Sequence, residues 1–99
     1  MPETMTIRAA QKAIREELAR ARKKFRPLNS AHEAYAVLKE ELEEFWSDTK
    51  ADTPTQSEMV QIGAMALAAL TELEMNTPYE VRVYGAKKVH AGLLHKEKP

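Results

Sequence analysis

Two short patterns constrain this chain more than any other feature: Ser30 with Glu33 three positions on, and Thr55 with Glu58 three positions on. A Ser or Thr hydroxyl accepts from the third helical amide while the Glu reaches back to the cap amide, so each pair marks a helix start. Each opens an apolar-periodic segment and follows a break, Pro27 in the first case and Ala51-Asp52-Thr53-Pro54 in the second. Upstream, Ile7, Ala10, Ile14, Leu18, Ala21 and Phe25 recur at steps of three and four without an intervening Gly or Pro. Pro27 disfavours helical geometry at Arg26 and ends that element. The spacing predicts three helices, over 6–25, from the Ser30 cap to Lys50, and from the Thr55 cap to a stop at Asn76-Thr77-Pro78.

The expected fold class is all-α: an antiparallel helical bundle of three to four helices, completed by oligomerisation. The 99 residues make one domain, 1–99, with its core over about 6–77. From Met59 to Leu70 only Gln61 is polar, and a helix apolar nearly all round is buried on several sides. So short a chain encloses such a helix best with a second subunit's help. Beyond Pro78, Val81, Val83 and Tyr84 suit either a strand or one side of a short helix. The expectation for 78–99 is a short fourth helix or an arm over a partner, with His95 to Pro99 as a disordered end.

Formal net charge is zero, which removes any global field that would recruit nucleic acid or a membrane surface. The chain has no cysteine, hence no disulfide and no thiolate metal site. No apolar stretch approaches the ~20 residues of a membrane span, and Met1 to Thr6 has no signal-peptide hydrophobic region. A cytoplasmic protein is the expectation. Charge is nonetheless segregated: from Arg8 to Arg26 there are eight Lys or Arg against two Glu, whereas Lys39 is the only Lys or Arg between Glu33 and Asp48. Attraction between neighbouring helices is the simple reading of that contrast. A nucleic-acid role is disfavoured because the basic segment offers only Phe25 as a stacking platform.

The acidic run carries the chemistry. Glu40, Glu41, Glu43 and Glu44 fall within five positions. Like charges one turn apart repel by a few tenths of a kcal/mol per pair, and a bound cation turns that repulsion into attraction. Hard divalent cations take oxygen ligands, often one or two carboxylates plus substrate phosphates. A short connection makes successive helices antiparallel, which predicts Glu58 and Gln61 facing Glu41 and Glu44 across a groove. The ordinary alternative is a solvated acidic face. Competing sites are weak. There is no Glu-x-x-His pair for a di-iron bundle, no His-x-x-x-His for zinc, and no glycine-rich phosphate loop. His32 reads as a surface or capping residue. The helical spacing of Tyr35, Phe45 and Trp46 reads as core or dimer packing before it reads as a base-stacking pocket.

Glu40-Glu41-x-x-Glu44, then thirteen residues, then Glu58, resembles the E-E-x-x-E … E-x-x-D signature of the MazG-like, all-α nucleoside triphosphate pyrophosphatases. The flanks His32 to Leu38 and Gln61 to Ala66 are similar to small bacterial and phage members of that group, and the resemblance runs from about Asn29 to Leu73. It implies a homodimer or homotetramer and hydrolysis of a nucleoside triphosphate to the monophosphate and pyrophosphate, with Mg²⁺, or Mn²⁺ in its place, as cofactor. It implies Glu40, Glu41, Glu44, Glu58 and Gln61 as metal ligands, with Glu40 and Glu41 as the catalytic pair. Gln61 stands where the family has aspartate, a neutral and weaker ligand. The alternative is therefore a catalytically impaired bundle acting as an oligomeric partner-binding protein.

Overall fold

The computed structural model describes residues 2–76, 80–82 and 88–90. Three helices form where the capping logic puts them: α1 (Ile7–Lys24), α2 (Ala31–Lys50) and α3 (Gln56–Glu72). Thr6, Ser30 and Thr55 are the caps, each in extended geometry with its hydroxyl accepting from the amide three residues on. The box at Thr55 is complete in both directions. At Ser30 the return bond shifts by one residue: the Glu33 carboxylate accepts from the Asn29 amide at 2.7 Å and grips the Arg26 guanidinium. The Glu33 carboxyl is accordingly held below its usual range, chiefly by the Asn29 amide and then by Arg26.

α3 stops at Glu72, short of the expected break at Asn76-Thr77-Pro78, and Leu73 is extended. Its last turn has no basic residue of its own to offset the partial negative charge of the helix end, and the cation found there is Arg22 of α1, paired with Glu72. Of the two alternatives for the segment around Val81, the strand is the one formed: residues 80–82 and 88–90 make an antiparallel pair, β1 (Glu80–Arg82) with β2 (Lys88–His90), in the register Val81 opposite Val89, and the rest of 78–99 lies outside the described residues. The β-branched alternation around Val81 favours strand over helix. The expected disordered end, His95 to Pro99, lies outside the described residues.

The helices form a layer, with α3 in the middle. α3 packs against both α1 and α2, whereas α1 and α2 do not pack on each other. Ile14 meets Gly63, Arg22 meets Glu72, and the Glu3 carbonyl accepts from the Gln56 amide, so α1 runs alongside α3 in the same direction. α2 runs antiparallel to both. This corrects the expectation that basic α1 and acidic α2 neutralise each other side by side. Most ion pairs are local instead: Lys12–Glu16, Arg20–Glu17 and Lys39–Glu43. The exceptions join elements, Arg26 to Glu33 and Arg22 to Glu72.

The core is thin. Among the described residues only Ala34, Ala64 and Ala68 are buried apolar side chains, and no large side chain is fully buried. Small residues bring the helix backbones close, most tightly at Gly63, where an added Cβ would come within 2.8 Å of the Ile14 methyl. Gly63→Leu is expected to push α1 away from α3 and cost about 1–3 kcal/mol, since well-packed contacts accept added methylenes poorly. Gly63→Ala should be nearly neutral, because the ~1 kcal/mol gain in helix propensity offsets a clash with one flexible methyl. Urea titration of the two variants checks both.

Candidate functional site: a groove over the third helix

Because α1 and α2 flank α3 without touching, a groove of about 1050 Å³ opens between them. Val60, Gln61 and Met65 of α3 form its floor, Glu16, Glu17 and Arg20 lie on the α1 wall, and Val37, Glu40 and Glu41 lie on the α2 wall. Met5 lines one margin. The groove mixes apolar and charged side chains. Glu17, Glu40 and Glu41 line it together, and Arg20, Arg22, Lys24 and Arg26 follow toward the end of α1, where Arg26 pairs with Glu33 and Arg22 with Glu72. Seven residues separate Glu17 from Lys24, about 10 Å at ~1.5 Å per helical residue.

Glu41 is the most perturbed group in this groove. Its Oε1 atom is buried and has no hydrogen-bond partner among the described residues. Burial, and then the neighbouring charges of Glu44, Glu17 and Glu40, push its carboxyl up to about 7. A buried carboxylate oxygen without a donor, among like charges, favours the protonated form of the group. Glu40 shares the groove with Glu41, and Gln61 lies on its floor. Glu44 is exposed and near enough to raise Glu41.

Glu58 is placed elsewhere. Its carboxylate accepts from the Thr55 amide at 3.2 Å in the capping box. Hydrogen bonding with Asp48 is the main cause that holds its carboxyl above the ordinary range. The antiparallel register explains this: the start of α3 lies level with the end of α2, and Asp48 is there. Glu41 lies seven residues back, about 10 Å along the axis. Sequence reasoning took the right pair of helices and the wrong axial level. It also missed Glu17, whose charge faces Glu41 from α1. The available signal was its place in the helical repeat, three residues after Ile14 and four before Ala21, inside an apolar stripe.

Among the described residues no three His, Cys, Asp or Glu side chains are grouped to hold a metal ion. A ligand cage of Glu40, Glu41, Glu44 and Glu58 is therefore not assembled within one chain. What the groove does hold is Glu41, with its unpartnered oxygen and the carboxylates of Glu40 and Glu44 nearby. Among the described residues no helix is long and apolar enough to cross a membrane. No family model, curated protein or solved structure matches the chain.

Proposed function

We propose that this chain is a MazG-like, divalent-cation-dependent hydrolase that converts a nucleoside triphosphate to the monophosphate and pyrophosphate. The observation that carries the reading is Glu41, whose Oε1 is buried with no hydrogen-bond partner among the described residues, in a groove that Arg20 and Lys24 also line. A triphosphate laid along it meets Arg20 and Lys24 with its distal phosphates and the carboxylates near its scissile bond. Mg²⁺ or Mn²⁺, when bound, neutralises charge on the phosphate oxygens. The chain's own contribution is proton transfer and orientation. Glu41, titrating near 7, is an effective general base at neutral pH. It takes the proton of a water whose oxygen bonds to the α-phosphorus. The bond from that phosphorus to the bridging oxygen breaks, and pyrophosphate leaves with the electron pair. Glu40 sits one position away on the same wall and orients the water. Gln61, on the floor, offers an amide oxygen in place of a carboxylate and so lowers the negative charge available to the cation.

The direct test is pyrophosphate release from a panel of canonical and modified nucleoside triphosphates with Mg²⁺. Turnover of at least one substrate is expected, with Glu41→Gln slower by about 10²–10⁴-fold, the usual share of a general base. Absence of turnover across the panel, or an unchanged Glu41→Gln rate, removes the enzymatic reading.

A second reading, a self-associating bundle, is favoured by an exposed apolar strip on the side of the layer away from the groove. Tyr35, Leu42 and Trp46 recur at steps of seven and four on α2, and Met59, Ala66 and Leu70 repeat those steps on α3. Trp46 is 57% and Leu70 72% exposed. In the antiparallel pair the two strips run side by side, an unusual amount of apolar surface for a free monomer. The two readings are compatible, since the strip and the groove lie on opposite faces. The chain is expected to run as a dimer or tetramer at micromolar concentration, and Trp46→Glu to shift it toward monomer. Light scattering behind a sizing column measures both, and a monomeric wild type would rule the strip out as an interface.

A further inference from the structure

We propose that the outer face of α1 is a docking surface for the phosphate backbone of a double-stranded nucleic acid. The inference stands apart from the hydrolase reading, because none of the residues it uses lines the groove. Arg8, Lys12, Arg15, Ala19 and Lys23 recur at steps of three and four, so they form one line along the helix. All five are exposed. The line lies on a different side of α1 from Ile14, which packs on Gly63. From Arg8 to Lys23 it runs about 22 Å at ~1.5 Å per helical residue. Among the described residues Arg8, Arg15 and Lys23 enter no ion pair. Lys12 is held only by Glu16, in an exposed pair of the kind that contributes little.

The packing order leaves these cations without a partner. α3 lies between α1 and α2, and the acidic helix does not pack on the basic one. The two are therefore farther apart than one packed spacing of ~8–10 Å. That exceeds the ~8 Å over which charge persists at physiological salt, so a net charge of zero conceals a basic edge. Three partners carry the matching charge. The acidic helix of a second copy offers isolated side chains, and exposed pairs of that kind hold weakly. A membrane surface is anionic, but a surface helix also binds it through an apolar face, and Ala19 is the only apolar residue in this line. A duplex carries one charge per ~1.7 Å of its axis and releases condensed counterions when cations meet it. It gains the most from a row of unpaired Lys and Arg. The small side chain of Ala19 leaves room for the backbone to approach midway. The sequence argument against nucleic acid, that only Phe25 could stack, bears on single strands, whose bases need such a platform. Contacts to phosphate position a duplex without reading its sequence.

Fluorescence anisotropy of a short labelled DNA duplex, titrated with the full chain at about 50 to 200 mM NaCl, tests this. Four cations on phosphates predict that the logarithm of the association constant falls with the logarithm of salt at a slope of about −3.6, at ~0.9 per contact. The double variant Arg8→Gln/Arg15→Gln is expected to flatten the slope to about −1.8 and to weaken binding at the lowest salt by roughly tenfold or more. Ala19→Glu keeps every cation and sets a carboxylate in the middle of the line, and should weaken binding as well. Lys39→Gln/Lys50→Gln removes the same charge from α2 and should keep both affinity and slope. All the substituted side chains are exposed, so the melting midpoints are expected to match the wild type and report that each variant is folded. A wild type that does not bind the duplex at the lowest salt overturns the proposal. So does an equal loss in the α2 variant, which would reduce the effect to net charge. Tighter binding to single strands of the same length, or to phosphatidylserine vesicles, overturns the assignment of a duplex partner. Pyrophosphate release is read separately, and its absence leaves the duplex measurement unaffected.

Discussion

Glu41→Gln is expected to melt later than the wild type at pH 8 in the presence of a chelator, while losing pyrophosphate release. The Glu41 carboxyl is raised from 4.5 to about 7 by burial and by Glu44, Glu17 and Glu40. The folded chain therefore binds this proton more tightly than the unfolded chain does. Stability from this group is fully present below pH ~4.5 and is lost as pH rises through about 7, where the folded state must also ionise. Glutamine copies the neutral form at every pH. At pH 4 the two proteins should melt alike; above pH 7 the variant should lead. At ~1.4 kcal/mol per pH unit the shift sets a ceiling of about 3.5 kcal/mol. The groove is open to solvent, so screening reduces the gain to about 1–2 kcal/mol. A residue whose removal strengthens the fold and silences the reaction is the pattern expected of a functional group kept under strain. A wild type that is as stable at pH 8 as at pH 5, with Glu41→Gln indistinguishable from it, would contradict this account of Glu41.

The second large effect is at Glu72. Its carboxylate receives two bonds from the Arg22 guanidinium, at 2.6 and 2.7 Å, and one from the Leu28 amide at 2.9 Å. The two charged side chains are only 21% and 15% exposed. This one residue ties together α1, the connection between α1 and α2, and the end of α3. Glu72→Ala leaves a half-buried guanidinium and an unpaired amide, a loss of about 2–3 kcal/mol. In a domain of this size that is a large part of the whole stability, and the melting midpoint should fall by roughly 10 °C. Glu72→Gln keeps an acceptor for Leu28 and should fall between. The Glu72 carboxyl is held below its ordinary range, first by Arg22 and then by the Leu28 amide. Its contribution is therefore present above pH ~4.5 and disappears on acidification through its lowered folded value. The stability gap between wild type and Glu72→Ala should close as the solution becomes acid, the opposite trend to Glu41.

Local rules made much of this architecture legible in the sequence. Thr6, Ser30 and Thr55 cap the helices because a hydroxyl one residue before an apolar repeat has few better partners than the orphan amides. What local rules could not supply was registration between helices. Glu58 was placed opposite Glu41 because antiparallel helices bring the right elements together, but only packing decides which turns meet, and Asp48 meets Glu58. Glu17 was overlooked for a related reason. Its place between Ile14 and Ala21 in the apolar stripe marks it as inward-facing, but in a helix dominated by Lys and Arg it reads first as the partner of Arg20, and the stripe does not say which turn of α2 it meets. α3 ends a few residues before the Asn76-Thr77-Pro78 break, at a point where the sequence carries no Gly or Pro to mark a stop.

The middle position of α3 also dictates an order of assembly. α2 and α3 are joined by a tight connection with Asp52 in left-handed geometry (φ 62°), so their pairing closes a short loop at little entropic expense. α1 must reach α3 across the whole of α2, and its docking is a distant, later event. Under mild denaturant, α1 amides should accordingly exchange with solvent before those of the α2–α3 hairpin, and the chain would open from its N-terminal side.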